Sequence, residues 1–141
     1  MSHVVKMELI IDDLESLELA CKRLGCTLIK DQKTYKWWGH HVGDYPLPEG
    51  MKKEDMGKCT HAIKVPNASW EVGIIEQKDK KFKLIYDFYG EEGRKIHNIC
   101  GKELGKLKQA YTVEHLKKKI KDKKKAKEEI IGKKIRLTIE V

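Results

Sequence analysis

Alternation of apolar and polar positions is clearest from Trp70 to Gly90, WEVGIIEQKDKKFKLIYDFYG. It predicts two strands joined by a charged tight turn at Gln77 to Lys80. In the second strand Phe82, Leu84, Tyr86 and Phe88 share one face, and Lys83, Ile85, Asp87 and Tyr89 the other. An apolar or aromatic face of that length must be covered, and helical stretches lie on either side in sequence. Upstream, Val4 to Ile11 reads as a strand, with Asp12 or Asp13 capping a helix whose stripe is Leu14, Leu17, Cys21 and Leu24 and which Gly25 stops. Asp12 and Glu15 have capping-box spacing. Cys26 to Lys30 is a short second strand, and Cys59 to Val65 a third.

Beyond Gly90, Glu91 to Cys100 predicts one helix. Leu104, Leu107, Tyr111, Val113, Leu116 and Ile120 are the stripe of another, over about 103 to 122. Lys127 to Val141 predicts a closing hairpin, its second strand alternating Ile135, Leu137, Ile139 and Val141 against Lys134, Arg136, Thr138 and Glu140. The strands at 4–11, 82–89 and 134–141 are expected to share one cover. The fold class is therefore α+β, a mainly antiparallel sheet covered on one face by two or three helices, in a single domain over residues 1–141. Phe88 is expected to anchor the core. Asp87, among aromatics near a strand end, calls for a partner, a lysine or the Tyr111 hydroxyl.

Two stretches break the pattern. Residues 31–58 form an irregular loop punctuated by Pro46, Pro48 and four glycines, and hold Tyr35, Trp37, Trp38 and Tyr45. Those four aromatics are the candidate protein-contact residues. Residues 117–127 form a lysine-rich helix end. Between Gly101 and Lys127 there are eleven lysines against Glu103, Glu114 and Asp122, an excess equal to the chain's entire net charge of +8. Lys117, Lys118, Lys121, Lys123, Lys124 and Lys125 are the candidate contacts to RNA or DNA. Such contacts would be sequence-nonspecific, because the run lacks the arginine, amide or stacking groups that read bases.

The chemistry-bearing residues form no strong catalytic constellation, and the glycines form no phosphate loop. His40, His41, Cys59 and His61 are weak candidates for a metal, Cys59 and His61 being two apart on a presumed strand and so facing the same way. His97 and Cys100, three apart on a helix, are a weak thiolate pair. Cys21, Cys26, Cys59 and Cys100 include no C-x-x-C pair, and neither a leader nor a membrane-length apolar run is present. Free buried thiols and a cytoplasmic location are expected, with no cofactor.

Order and spacing also carry a family resemblance. Met1-Ser2-His3, the helix ending in Leu24-Gly25, WEVGII, FKLIYDFYG, LKQAYTVEHLKK and the closing IRLTIEV together resemble a family of small proteins known as a hypothetical chloroplast reading frame in chloroplasts and cyanobacteria, with bacterial and phage relatives. Its marks are Asp87-Phe88-Tyr89-Gly90, Gln109-Ala110-Tyr111 and the strand Ile135 to Val141. This chain departs from it in a longer stretch from Trp37 to Lys58 and a heavier lysine run. The resemblance implies a fold without an agreed activity. The leading functional expectation is a non-enzymatic interaction or adaptor module that binds another protein. The alternatives are nonspecific nucleic-acid binding and a small enzyme with its site near Asp87 and Tyr89.

Overall fold

The computed structural model describes residues 4–37, 52, 55–120, 125–131 and 134–140, with side-chain surroundings for 10–37, 52 and 55–120. Five strands, β1 (Val4–Ile11), β2 (Thr27–Ile29), β3 (His61–Lys64), β4 (Glu71–Glu76) and β5 (Phe82–Asp87), pair antiparallel in the order β1-β5-β4-β3-β2. The α+β class is as the alternation implies. Because β1 and β2 are opposite edges, α1 (Leu14–Arg23), which joins them, must traverse the sheet. Its cap is Asp13, whose Oδ1 accepts from the Glu15 amide at 3.1 Å while its Oδ2 accepts from Ser16 Oγ at 2.8 Å. The β4–β5 turn closes through Gln77 N donating to the Lys81 carbonyl at 2.8 Å, with Lys80 at φ 66°.

Alternation then sorts the side chains. Ile63, Val72, Ile74, Phe82, Leu84 and Tyr86 form one core with Leu17, Ala20 and Cys21 of α1, Ile96 and Cys100 of α2 (Gly90–Cys100), and Leu107, Ala110 and Tyr111 of α3 (Gly105–Ile120). Three helices thus cover this face. The opposite face carries a smaller cluster of Tyr35, Ala62 and Ile85, with Trp37, Met56, Cys59 and Ile75 packed against it. Phe88 is only half-buried at the margin of the main core, so it is a contributor there and not its anchor.

The closing hairpin forms, β6 (Lys125–Ile131) against β7 (Lys134–Glu140), in register from Lys125↔Glu140 to Ile131↔Lys134. It is a separate two-stranded sheet. The expectation that 134–141 shares a sheet with 4–11 and 82–89 is corrected: β1 already occupies the free edge of β5, and β7 pairs instead with β6, the strand just before it in sequence. Of the lysine-rich helix end expected over 117–127, residues 117–120 lie in α3, 121–124 lie outside the described residues, and Lys125 opens a strand instead.

Candidate functional site

Where α2 meets α3 the chain makes a turn that few sequences tolerate. Gly101 ends α2 at φ 84°, and Glu103 and Leu104 follow at φ 56° and 58° inside a single 3-10 turn, Lys102–Leu104. A Cβ at Gly101 would stand 2.7 Å from the Lys106 amide nitrogen, so only glycine lets α3 start this close. Successive left-handed non-glycine residues are costly, and the buried Leu104 side chain, packed in the main core, offsets that cost. The result is a cavity of about 450 Å³ lined by His97, Asn98, Gly101, Lys102, Gly105, Lys106 and Gln109.

Its charge is positive. Lys102 and Lys106 are exposed at its wall, Glu103 of the same turn is not among the lining residues, and the first turn of α3 holds no acidic side chain to offset the helix dipole. His97 is held by a 2.8 Å hydrogen bond between Nε2 and the Tyr86 hydroxyl, and its ring stacks on Phe88 at an interplanar angle of 14°. Burial, and after it the Lys102 charge, hold its pKa below the ordinary imidazole value. At neutral pH it is therefore an uncharged, fixed wall. Asn98 and Gln109 add amides that can both donate and accept. The arrangement suits an oxyanion flanked by groups capable of polar contact.

The residues singled out from sequence fall elsewhere. Tyr35 is 3% exposed and Trp37 is half-buried against the same cluster, so these two candidate contact residues cover the sheet instead of offering a surface. Trp38 and Tyr45 lie outside the described residues, as do His40, His41, Lys121, Lys123 and Lys124. Cys59 and His61 do not face the same way. Cys59 precedes β3, packs on the Tyr35 side and donates to the Gln32 carbonyl, and burial raises its thiol to about 11. His61 lies in β3, its ring 6.2 Å from that of Phe82 on the helix side, and its Nδ1 accepts from the Asp31 amide at 2.9 Å. The strand begins too late for alternation to align them, and no group of three or more His, Cys, Asp or Glu side chains among the described residues could hold a metal.

Asp87 has no exposed surface, and its Oδ1 accepts from the Tyr89 amide at 3.0 Å. The Tyr111 hydroxyl goes to Asp12, donating to its Oδ1 at 3.3 Å and accepting from its amide at 3.2 Å, because α3 crosses the α1 N-terminus and not the end of β5. His97 and Cys100 make no thiolate pair: the imidazole belongs to Tyr86, and Cys100 Sγ lies 3.9 Å from Cys26 Sγ. Lys118 is on α3 and donates to Asp13 at 2.9 Å and Glu15 at 3.3 Å. Against the upward pull of burial, the bonds from Lys118 and Ser16 and the Lys118 charge hold Asp13 at about 2. Lys117 lines a separate cleft with Glu15, Leu19, Glu114 and Lys118, and Lys125 opens β6.

Sequence reasoning missed Lys102, Lys106, Asn98 and Gln109 as a group. The available signal was the pair Gly101 and Gly105 between two helical stripes, which marks a tight turn that brings both helix ends together. No family model, no curated protein and no solved structure matches the chain, and no helix among the described residues is long and apolar enough to cross a membrane.

Proposed function

We propose that this protein binds nucleic acid without sequence preference, seating a backbone phosphate in the cavity between α2 and α3. The observation that carries the reading is the pairing of Lys102 and Lys106 across a concave surface with Asn98 and Gln109 beside them. Lys102 and Lys106 belong to the stretch 101–127, which carries the chain's whole positive excess. Lysines neutralise phosphate as point charges, so affinity falls with salt and discriminates little between bases. The cavity supplies the amides that the lysine run lacks. They suit contact with sugar or phosphate oxygens and fix the backbone's path rather than its sequence.

The test is fluorescence anisotropy with mixed-sequence single-stranded RNA and DNA over a salt series. The parent is expected to bind at low salt. Lys102→Gln with Lys106→Gln should weaken binding about tenfold there and flatten the salt dependence by roughly two counterions. A second variant, with Lys121, Lys123, Lys124 and Lys125 all changed to glutamine, separates the lysine run from the cavity. No binding by the parent at low salt, or full binding by the Lys102 and Lys106 variant, would sink the reading.

A second reading, the protein-interaction module, is favoured by a different feature. Tyr89, 38% exposed, lines a cleft of about 240 Å³ with Trp70, Gly90, Glu91 and Glu92, and this replaces Tyr35 and Trp37 as the aromatic surface for a partner. Kinship with the chloroplast reading-frame family remains a proposal from the residues that carry the resemblance, and adds no activity to either reading.

A further inference from the structure

Three of the four cysteines are buried, and two of them come together from elements 74 residues apart: Cys26 leads into β2, Cys100 ends α2, and their sulfurs are 3.9 Å apart. Neither cysteine lines the cavity between α2 and α3. A disulfide needs the sulfurs at about 2.05 Å, a closure of under two ångströms that side-chain rotation and small backbone shifts can supply if the flanking chain gives. The flanks suit that. Gly25 precedes Cys26 at φ 78° with nothing within 4 Å of its Cβ position, and Gly101 follows Cys100 at φ 84°.

We propose that Cys26 and Cys100 are a redox-modification site, oxidised by a peroxide to a disulfide that ties the entry of β2 to the end of α2. The Cys26 sulfur, as thiolate, attacks one oxygen of hydrogen peroxide, the O–O bond breaks, and hydroxide leaves and takes up the Cys26 proton as water. The resulting sulfenic acid is attacked by the Cys100 sulfur. The S–O bond breaks, the S–S bond forms, and a second water leaves with the Cys100 proton. Two thiols lose two electrons in all, and the peroxide gains them.

Cys26 meets peroxide first because it keeps 4% exposure while Cys100 has none, and its hydrogen bond with the Cys100 sulfur favours the lowered thiol value on the Cys26 side. Cys21, in the same core, is pushed up by burial and by the Cys26 charge, and it is the 3.9 Å contact of the Cys100 sulfur with Cys26 that selects Cys100 as the partner. The cross-link would fix the helix end from which Lys102 departs, but the chemistry stands whatever the cavity binds.

The experiment treats the full chain with hydrogen peroxide, unfolds it, alkylates free thiols and measures intact mass and the unreduced peptide map. Two labels in place of four are expected, with the Cys26 and Cys100 peptides joined and released by dithiothreitol. The oxidised protein should also melt several degrees higher than the reduced one. Cys100→Ser should abolish the linkage and Cys59→Ser should leave it. The parent's own map decides the matter should a serine variant misfold. Four labels after treatment, a linkage through Cys21 or Cys59, or stable sulfinic acid at Cys26 without a linkage would each overturn the proposal.

Discussion

The two faces of the five-stranded sheet are covered by different means. On one, α1, α2 and α3 bring periodic stripes onto Ile63, Ile74, Leu84 and Tyr86, and the core is large and apolar. On the other, the segment around Tyr35 crosses the strands without regular structure of its own, pinned by polar groups at its margins. Tyr35 N donates to the Gly57 carbonyl and Cys59 N to that of Lys33, and the buried Glu71 carboxylate accepts from the Lys36 amide at 2.9 Å and from Gln32 Nε2 at 3.0 Å. The helical cover is held by area, the loop cover by placement. A face held by area loses stability in proportion to what is removed, whereas a face held by placement is sensitive to where a single atom sits.

The largest expected effect is on the helical face. Tyr86 is among the largest fully buried side chains, and its hydroxyl holds His97. Changing Tyr86 to alanine should cost about 3–5 kcal/mol in denaturant melts, from the lost ring and the cavity left behind. A cost below about 1 kcal/mol would show that the helices repack freely, and the distinction between the two faces would fail.

The loop face should respond to the addition of one methyl group. A Cβ at Gly73, in the middle of β4, would stand 2.5 Å from the Tyr35 ring. Gly73→Ala should therefore displace Tyr35 and destabilise by about 1–3 kcal/mol. Hydrogen exchange locates the damage: the amides of Tyr35 and Cys59 should lose protection while those of Leu84 and Ile85 lose only what global stability loses. Equal loss at all four would mean that both faces open as one unit.

How far each face was legible in the sequence follows from the same difference. The helical face announces itself, because Leu17 and Cys21 repeat at helical spacing and Phe82, Leu84 and Tyr86 at strand spacing, and each pattern demands the other. The loop face has no period. Nothing local distinguishes Tyr35, which is buried, from an aromatic offered to a partner, and nothing before the fold says that Gly73 is small because Tyr35 lies over it. The error over Cys59 and His61 has one cause: alternation applies only within a strand, and β3 starts at His61. Strand order failed at β7, where strict alternation fits equally a sheet edge and a hairpin of its own. The candidate cavity was the least visible, since it depends on Glu103 and Leu104 adopting left-handed backbone that their residue types disfavour.

The smallest expected effect lies where the helical cover meets the cavity, and it is read through pH. Burial, then Lys102, lower the His97 pKa, while Glu103 opposes them. Unfolding frees the imidazole to its ordinary value near 6.5, so just below that pH the unfolded chain binds more protons than the folded one. This contribution to stability is accordingly complete above about pH 6.5 and is lost as pH falls from there through the lowered folded value. Half-exposure screens it, and the melting temperature should fall by roughly 1–2 °C from this group. His97→Gln keeps an amide able to bond the Tyr86 hydroxyl but does not titrate, so the difference between parent and variant melting temperatures, followed from pH 7.5 to 5, isolates the histidine from the carboxylates and from Asp13 in particular. A difference that stays constant over that range would mean that His97 protonates in place, with Tyr86 turning to accept; the wall of the cavity would then carry a positive charge in mild acid, and anion binding there would strengthen as pH falls.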